Sequence, residues 1–386
     1  MQPELPLSGT IAIEIGHSVA IPFCGQILAT LGATLIKVEH PERGDDARKW
    51  GPPFWHGTSS LFQALNRDKL GVTVDLKDPA SRDRLRKVIV ERADIVVQNL
   101  RPGVVETLGL DAASIRALNP KLIYCSLSGF GAEGPLRNRP GYDPLMQAFG
   151  GIMSITGEEG RAPVRVGPSI IDMGSGMWAA LGIVAALRRR ELTGEGCEVE
   201  GSLFETAVTW MNMTAAAYFA SGNVPGRIGS EAPFACPYNA YKTADGYIII
   251  AAGNDRLFRL LADVLGHPEW AGDAHYLTNA DRVKNRVALN GLIAAIVETQ
   301  PKAHWLEQLE KAGVPCAQLQ SINEVVEHEQ TIALGMLQNT PEQAMPLIGL
   351  PLRFNRTRPP CRHDPPTLGQ HNAILDELCG DTAAAG

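Results

Sequence analysis

The chain has 386 residues, 45% of them hydrophobic and 20% charged, with a formal net charge of −7. That length exceeds one ordinary hydrophobic core and implies two lobes. The acidic balance counts against nucleic acid or an anionic membrane as partner, so an anionic ligand would be held by local basic and backbone groups.

In chain order, 10–16 (TIAIEIG) is a β-branched run ending in glycine and predicts a buried strand. Apolar residues at helical spacing over 22–33 predict a helix closing on Gly32, and 34–40 (TLIKVEH) predicts a second strand stopped by Pro41. VTVDL, ADIVVQNL and KLIYCSLSGFG supply further strands, with helical segments at 79–93 and 111–118 between them. Such alternation predicts an α/β fold, a parallel sheet with helices on both faces. The segment 197–222 reads as a strand followed by one long apolar helix. Next, 238–255 reads as a β-hairpin turning at Asp245 and Gly246, and helical patterns follow at 256–265, 281–299 and 303–312. This change of texture marks a smaller α+β domain at 225–330 after a large domain at 1–224, with the Pro- and Arg-rich segment 331–386 returning to the large domain. The opening MQPELPLSG has neither a basic n-region nor an apolar h-region, and the most apolar helical stretch, 176–187, is too short to span a bilayer. Seven cysteines, none in a CxxC pair or a Cys/His cluster, support neither a disulfide framework nor a metal site and read as reduced thiols of a cytoplasmic protein.

The turn after the first strand, GHSVAIPF, lacks the glycines of a dinucleotide fingerprint, so a nicotinamide enzyme is disfavoured and Glu39 reads as a residue closing its strand. Basic residues recur in successive loops: Lys37, Arg43, Arg48 and Lys49; Arg67, Lys69 and Lys77; Arg101; Arg137 and Arg139. At the carboxyl ends of parallel strands they predict a large anionic ligand carrying several phosphates. Asp172 opens a run that is otherwise apolar until Arg188. As a helix N-cap it would accept a backbone N–H. As a carboxylate with an ordinary pKa of ~3.9 it would be ionised at neutral pH and could attack an activated acyl group. Gly174, Ser175 and Gly176 follow at once, leaving open backbone for a bulky ligand and N–H groups for an oxyanion. Tyr142 and Asp143 stand after a Pro–Gly turn. GxSxG and a Ser–His–Asp set are absent, and His17 reads as a loop or core residue.

With these residues in hand, the sequence resembles the class III CoA-transferases, the formyl-CoA transferase and CaiB/BaiF family. The likeness runs almost end to end, through GHSVAIPFCGQILATLGATLIKVEHPERGD, LFQALNRDKLGVTVDLKDP, DIVVQNLRPGVVETLGL, RPGYDPLMQAFGGIMSITG, IIDMGSGM and PPTLGQHN. The resemblance implies a Rossmann-like large domain, an interlocked homodimer and no tightly bound cofactor, with coenzyme A thioesters as substrates. It places the catalytic carboxylate at Asp172. It assigns CoA to Val19 and Ala20, to His40, to Val74 and Lys77, to Asn99, Leu100 and Arg101, and to Arg139. Tyr142, Asp143, Gly174, Ser175 and Gly176 would support the substrate. A family arginine falls near Thr107, where Arg101 would compensate, and the glycine-rich lid of formyl-CoA transferase is missing. The α-methylacyl-CoA racemases of the same fold carry GHD where this chain has GYD, and tyrosine, with a pKa near ~10, is a poor base. The implied activity is ping-pong transfer of CoA from an acyl-CoA, with succinyl-CoA as the suggested donor, to a free acid, with a dicarboxylate as the suggested acceptor. It would pass through an aspartyl anhydride and an aspartyl–CoA thioester. A racemase and a non-catalytic acyl-CoA-binding protein are the competing readings.

Overall fold

The structure, a computed structural model, describes residues 5–380. Its first unit opens with β1 (Ile11–Ile15), α1 (Ala20–Thr30), β2 (Thr34–Glu39), α2 (Ser60–Asn66), β3 (Lys69–Thr73), α3 (Pro79–Arg92), β4 (Ile95–Gln98) and β5 (Ile123–Ser128). It continues through α4 (Asp143–Phe149), α5 (Ile170–Thr193), β6 (Glu198–Ser202), α6 (Leu203–Trp210) and α7 (Asn212–Ser221). The six strands form one sheet in the order β3-β2-β1-β4-β5-β6, every neighbouring pair parallel.

Period-two alternation explains why both faces of the sheet are covered. Ala12, Ile95, Val97, Ile123 and Cys125 pack on one side with Ile21, Leu28 and Ile183 of α1 and α5. Ile13, Val96 and Tyr124 pack on the other with Leu85, Val88 and Ile89 of α3 and Leu375 of the C-terminal helix Ala373–Cys379. α5 is longer than the apolar run suggests. Its 24 residues are long and apolar enough to cross a membrane by length and composition, yet half of its most apolar stretch is buried inside the protein.

The C-terminal segment closes the sheet at β3. His371 bonds the Gly71 backbone twice, donating its N–H to the Gly71 carbonyl (2.8 Å) and accepting the Gly71 N–H on its ring Nδ1 (3.1 Å). Asn372 Oδ1 accepts the Thr73 N–H at 2.8 Å. An edge strand that would otherwise offer free N–H groups is thereby covered.

The second unit holds β7 (Tyr238–Thr243), β8 (Gly246–Ala251) and β9 (Cys316–Gln318) as an antiparallel sheet in the order β9-β8-β7. Helices Asp255–Val264, Asn279–Lys284, Arg286–Val297 and Lys302–Ala312 pack around Tyr241, Ile248, Phe258, Leu289 and Leu309. Three details differ from expectation. The hairpin turns on Ala244 and Asp245, with Gly246 already paired to Thr243. The long helix expected within 197–222 and the one expected at 281–299 are each broken, at Met211 and at Asn285. Residues Ser154–Val164 belong to the second unit with Val224–His328, not to the large domain expected at 1–224.

Candidate active site

The sheet order reverses direction between β1 and β4, the position at which open α/β sheets hold ligands outside their carboxyl ends. A cavity of about 530 Å³ lies there. Gly16 and His17 line it after β1, His40 and Arg43 after β2, Val74 and Lys77 after β3, and Leu100 after β4, with Thr107 on the following helix. Apolar Val38, Val74, Leu76 and Leu100 supply flat surface, while Arg43, Lys77 and His40 supply donors. The His40 ring accepts the Glu42 and Arg43 N–H groups on Nδ1 (3.2 and 3.4 Å), which leaves Nε2 as its free donor.

A buried charge network fixes the walls of this cavity. Lys37 and Lys69 are fully buried and share Glu14, one carboxylate oxygen each, at 2.8 Å. Lys37 also bonds Asp45 (2.9 Å) and the Gly16 carbonyl (3.1 Å). Asp45 Oδ1 in turn accepts the N–H of Ser18, a non-glycine residue at φ +73, and so holds the β1 loop in a backbone conformation that side chains disfavour. Glu39 accepts the Asp45 N–H at 2.8 Å and pairs in fork geometry with Arg48. It is 4% exposed, so it is an interior brace rather than a surface residue closing a strand. From the other side, Asn99 accepts the His17 N–H (3.1 Å) and donates to the His17 carbonyl (3.0 Å), clamping β1 to β4 across the switch point.

Asp172 sits at the third position of α5, with Ser169 as the N-cap residue, so it does not cap the helix. The cap is Asp143. Its Oδ2 accepts the N–H of Ile171 (2.7 Å) and of Asp172 (3.2 Å), and its Oδ1 accepts from Gln147 at 2.6 Å. Gln147, fully buried, accepts the Val166 N–H at 2.7 Å and so ties down the segment entering α5. The Asp172 carboxylate itself makes no hydrogen bond among the described residues. Burial, reinforced by the neighbouring Asp143 charge, pushes it up to about 7. It is therefore not the fully ionised carboxylate that an ordinary aspartate would be.

Gly174, Ser175 and Gly176 lie inside the helix and are buried, contrary to the expectation of open backbone. A Cβ on Gly174 would stand 2.8 Å from the Trp210 ring, and one on Gly176 would stand 2.6 Å from the Ala20 carbonyl. Ser175 Oγ donates to Thr206 Oγ1 at 2.7 Å. The glycines permit α5 to approach α1 and α6, and their N–H groups serve the helix rather than an oxyanion.

Of the residues singled out from sequence, His40, Val74, Lys77 and Leu100 meet in the cavity. Val19 and Ala20 are buried at the start of α1, where Ala20 abuts Gly176, one turn beyond Asp172. Asn99 acts on the loop. Arg101, Arg139 and Tyr142 are exposed and outside the cavity lining, Tyr142 at 53%. His17, expected as a loop or core residue, lines the cavity; its place after the first strand of a parallel sheet is the signal for that role. The Gln147 clasp carried no signal beyond its spacing of four from Asp143.

Comparison with known proteins accords with this geometry. A model of CoA-transferase family III matches residues 7–372. The chain is 37% identical to an acetyl-CoA:oxalate CoA-transferase of Acetobacter aceti over 377 residues, 97% of this chain and 96% of the relative. It is also 37% identical to a succinate–glutarate CoA-transferase of Agrobacterium fabrum over 385 residues, again 97% and 96%. A CaiB/BaiF family protein of Brucella suis superposes with a TM-score of 0.86 at 38% identity, covering 97% of this chain and all of that one. The cavity at the switch point and the half-buried acid at the head of α5 thus stand in a chain that belongs to CoA-transferase family III.

Proposed function

We propose that the protein moves CoA from succinyl-CoA to a free dicarboxylic acid, with Asp172 as the nucleophile. The observation that carries this reading is the Asp172 carboxylate, unpartnered and desolvated at a helix N-terminus, one turn from the contact of Gly176 with Ala20. CoA would lie with its nucleotide in the 530 Å³ cavity, near Lys77, Arg43 and His40, and its thiol arm running past Gly16–Ala20 toward Asp172. The named activities of both relatives support a dicarboxylate acceptor, and that of the Agrobacterium fabrum relative supports a succinyl donor.

The steps balance without a metal or redox partner. An Asp172 oxygen attacks the thioester carbonyl, the C–S bond breaks, and CoA leaves as thiolate. The thiolate attacks the Asp172 carbonyl carbon, and the donor acid departs carrying the bridging oxygen. An acceptor carboxylate then reverses both steps. Oxygen therefore passes through the enzyme. With acceptor acid labelled in its carboxylate by ¹⁸O, label is expected in Asp172 after one half-turnover and in released succinate after the next. Mass spectrometry showing label in neither, with acyl-CoA product still formed, would exclude the aspartyl route.

The nucleophile must be ionised, so kcat/KM for the acyl-CoA is expected to fall tenfold per unit below about pH 7. Asp143→Asn removes the nearby like charge and is expected to move that limb to lower pH. The move should be less than about one unit, because burial is the larger cause. A limb that stays in place would show that Asp143 acts on α5 only as its cap.

A homodimer fits the exposed apolar stripe of α5, where Met173, Met177, Leu181 and Val184 follow Asp172 at helical spacing, and α7, which buries no residue and leaves Phe219 80% exposed. A cytoplasmic location fits the seven free cysteines.

A further inference from the structure

Among the described residues, four cationic side chains are buried: Lys37, Arg67, Lys69 and Arg282. Three are saturated. Lys37 and Lys69 each make three polar contacts, and Arg282 gives its nitrogens to the Cys236, Tyr276 and Gly253 carbonyls and to Asp255. Arg67 is the exception. It is 0% exposed, and Nε, Nη1 and Nη2 all lack a partner.

Other buried atoms without a partner lie on the Arg67–Asp68 turn and on the segments tied to it. Asp68 accepts the Arg362 and His363 N–H groups on Oδ1, and its own N–H bonds the His363 carbonyl, but Oδ2 has no partner. Arg362 Nε and Arg358 Nε are also unpaired, as is Oε1 of Gln338, whose amide holds the Pro359 carbonyl. The charge is unbalanced too. Arg67 is fully buried, and the partly buried Arg358 guanidinium is held below its ordinary range by burial, Arg353 and Arg67. Against them stand Asp68 and Asp364, both engaged with backbone N–H groups. A water molecule could accept from Arg67 but would leave the Arg67 charge buried, which is the costlier part.

We propose that Arg67 is the centre of a buried binding site for a small monovalent inorganic anion, of which chloride is the natural size and charge. Five N–H donors in a planar fork suit such a ligand. Bound there, it staples the C-terminal segment 358–364 to the turn between α2 and β3. Asn66, next in the chain, accepts from Lys69 at 2.9 Å, so the site abuts the network under the cavity. The inference is independent of the substrates proposed above.

The test uses the full-length protein and two probes. Crystals grown with bromide are expected to show an anomalous peak at the Arg67 guanidinium. In parallel, chloride is raised from about 5 mM to about 500 mM at constant ionic strength, with a bulky organic anion as the balancing salt. Tm is expected to rise by roughly 2 °C for the wild type and not at all for Arg67→Met. If Arg67→Met does not fold, the bromide map and the wild-type titration still decide. Water alone, or a carboxylate of a second chain, against Arg67 would overturn the proposal. So would a bromide peak with a chloride-indifferent Tm, which would mark an adventitious ion only.

Discussion

Asp172→Asn is expected to lower CoA transfer by at least about 10³-fold while leaving CoA binding within about threefold of wild type. The asparagine amide fills the same space but cannot form an anhydride and be regenerated. The same change should stabilise the protein, and the sign follows from the shifted carboxyl. Its unfolded value lies near ~3.9, and burial with Asp143 raises the folded value to about 7. Below the unfolded value the acid is neutral in both states and costs nothing. As pH rises through the folded value, the native protein must hold a desolvated charge, and stability is lost. The asparagine variant escapes that loss. It is therefore expected to be more stable by roughly 1–3 kcal/mol at pH 8 and equal to wild type near pH 4. Denaturant melts at the two pH values measure this directly, and an advantage that persisted at pH 4 would refer it to packing instead. A variant that is both dead and sturdier is what a nucleophile held ready at the expense of the fold should give.

How much of this was legible beforehand depended on the length scale of each signal. The strands were readable because β-branched runs such as AIEI and IVVQ end at glycine, proline or a polar turn, and the 3-2-1-4-5-6 order then places the crevice. Asp172 stood out because nothing else acidic interrupts its apolar run. What could not be read was pairing across distance. Glu39 looks like a surface acid until Arg48 and the Asp45 N–H are seen to surround it. Asp143 looks like a turn residue until it is found beneath the first turn of a helix 29 positions on. The run Gly174-Ser175-Gly176 was ambiguous in principle, since missing side chains can admit either a ligand or a neighbouring helix. The helix turned out to be the occupant, as the Ala20 carbonyl and the Trp210 ring show.

Glu14→Ala is expected to be the most damaging single change to the fold, costing about 3–5 kcal/mol. Glu14 is the shared counter-charge of two fully buried ammonium groups, at 2.8 Å from each. Burial, with the nearby Lys37 charge, already pulls Lys69 down to about 8 against the pull of Glu14. Losing Glu14 leaves Lys37 with Asp45, but leaves Lys69 with only the neutral Pro22 carbonyl and Asn66 amide. Lys69 is then the orphan, so Glu14→Ala combined with Lys69→Met is expected to recover much of the loss. If the double variant is no better than the single one, the damage lies in the cavity left by the side chain rather than in the stranded charge. Gly25 supplies an independent check. A glycine inside α1 should be improved by alanine, yet a Cβ there would stand 2.0 Å from Glu14 Oε2. Gly25→Ala is accordingly expected to destabilise by disturbing the network, and to do so far less once Glu14 is already alanine. Because Asp45 and Lys37 hold Ser18 and Gly16 in place, the surviving fraction of each variant should also show a raised KM for acyl-CoA, with kcat less affected. Glu14, Lys37 and Lys69, which do not line the cavity, would in that way reach the site through the backbone they hold.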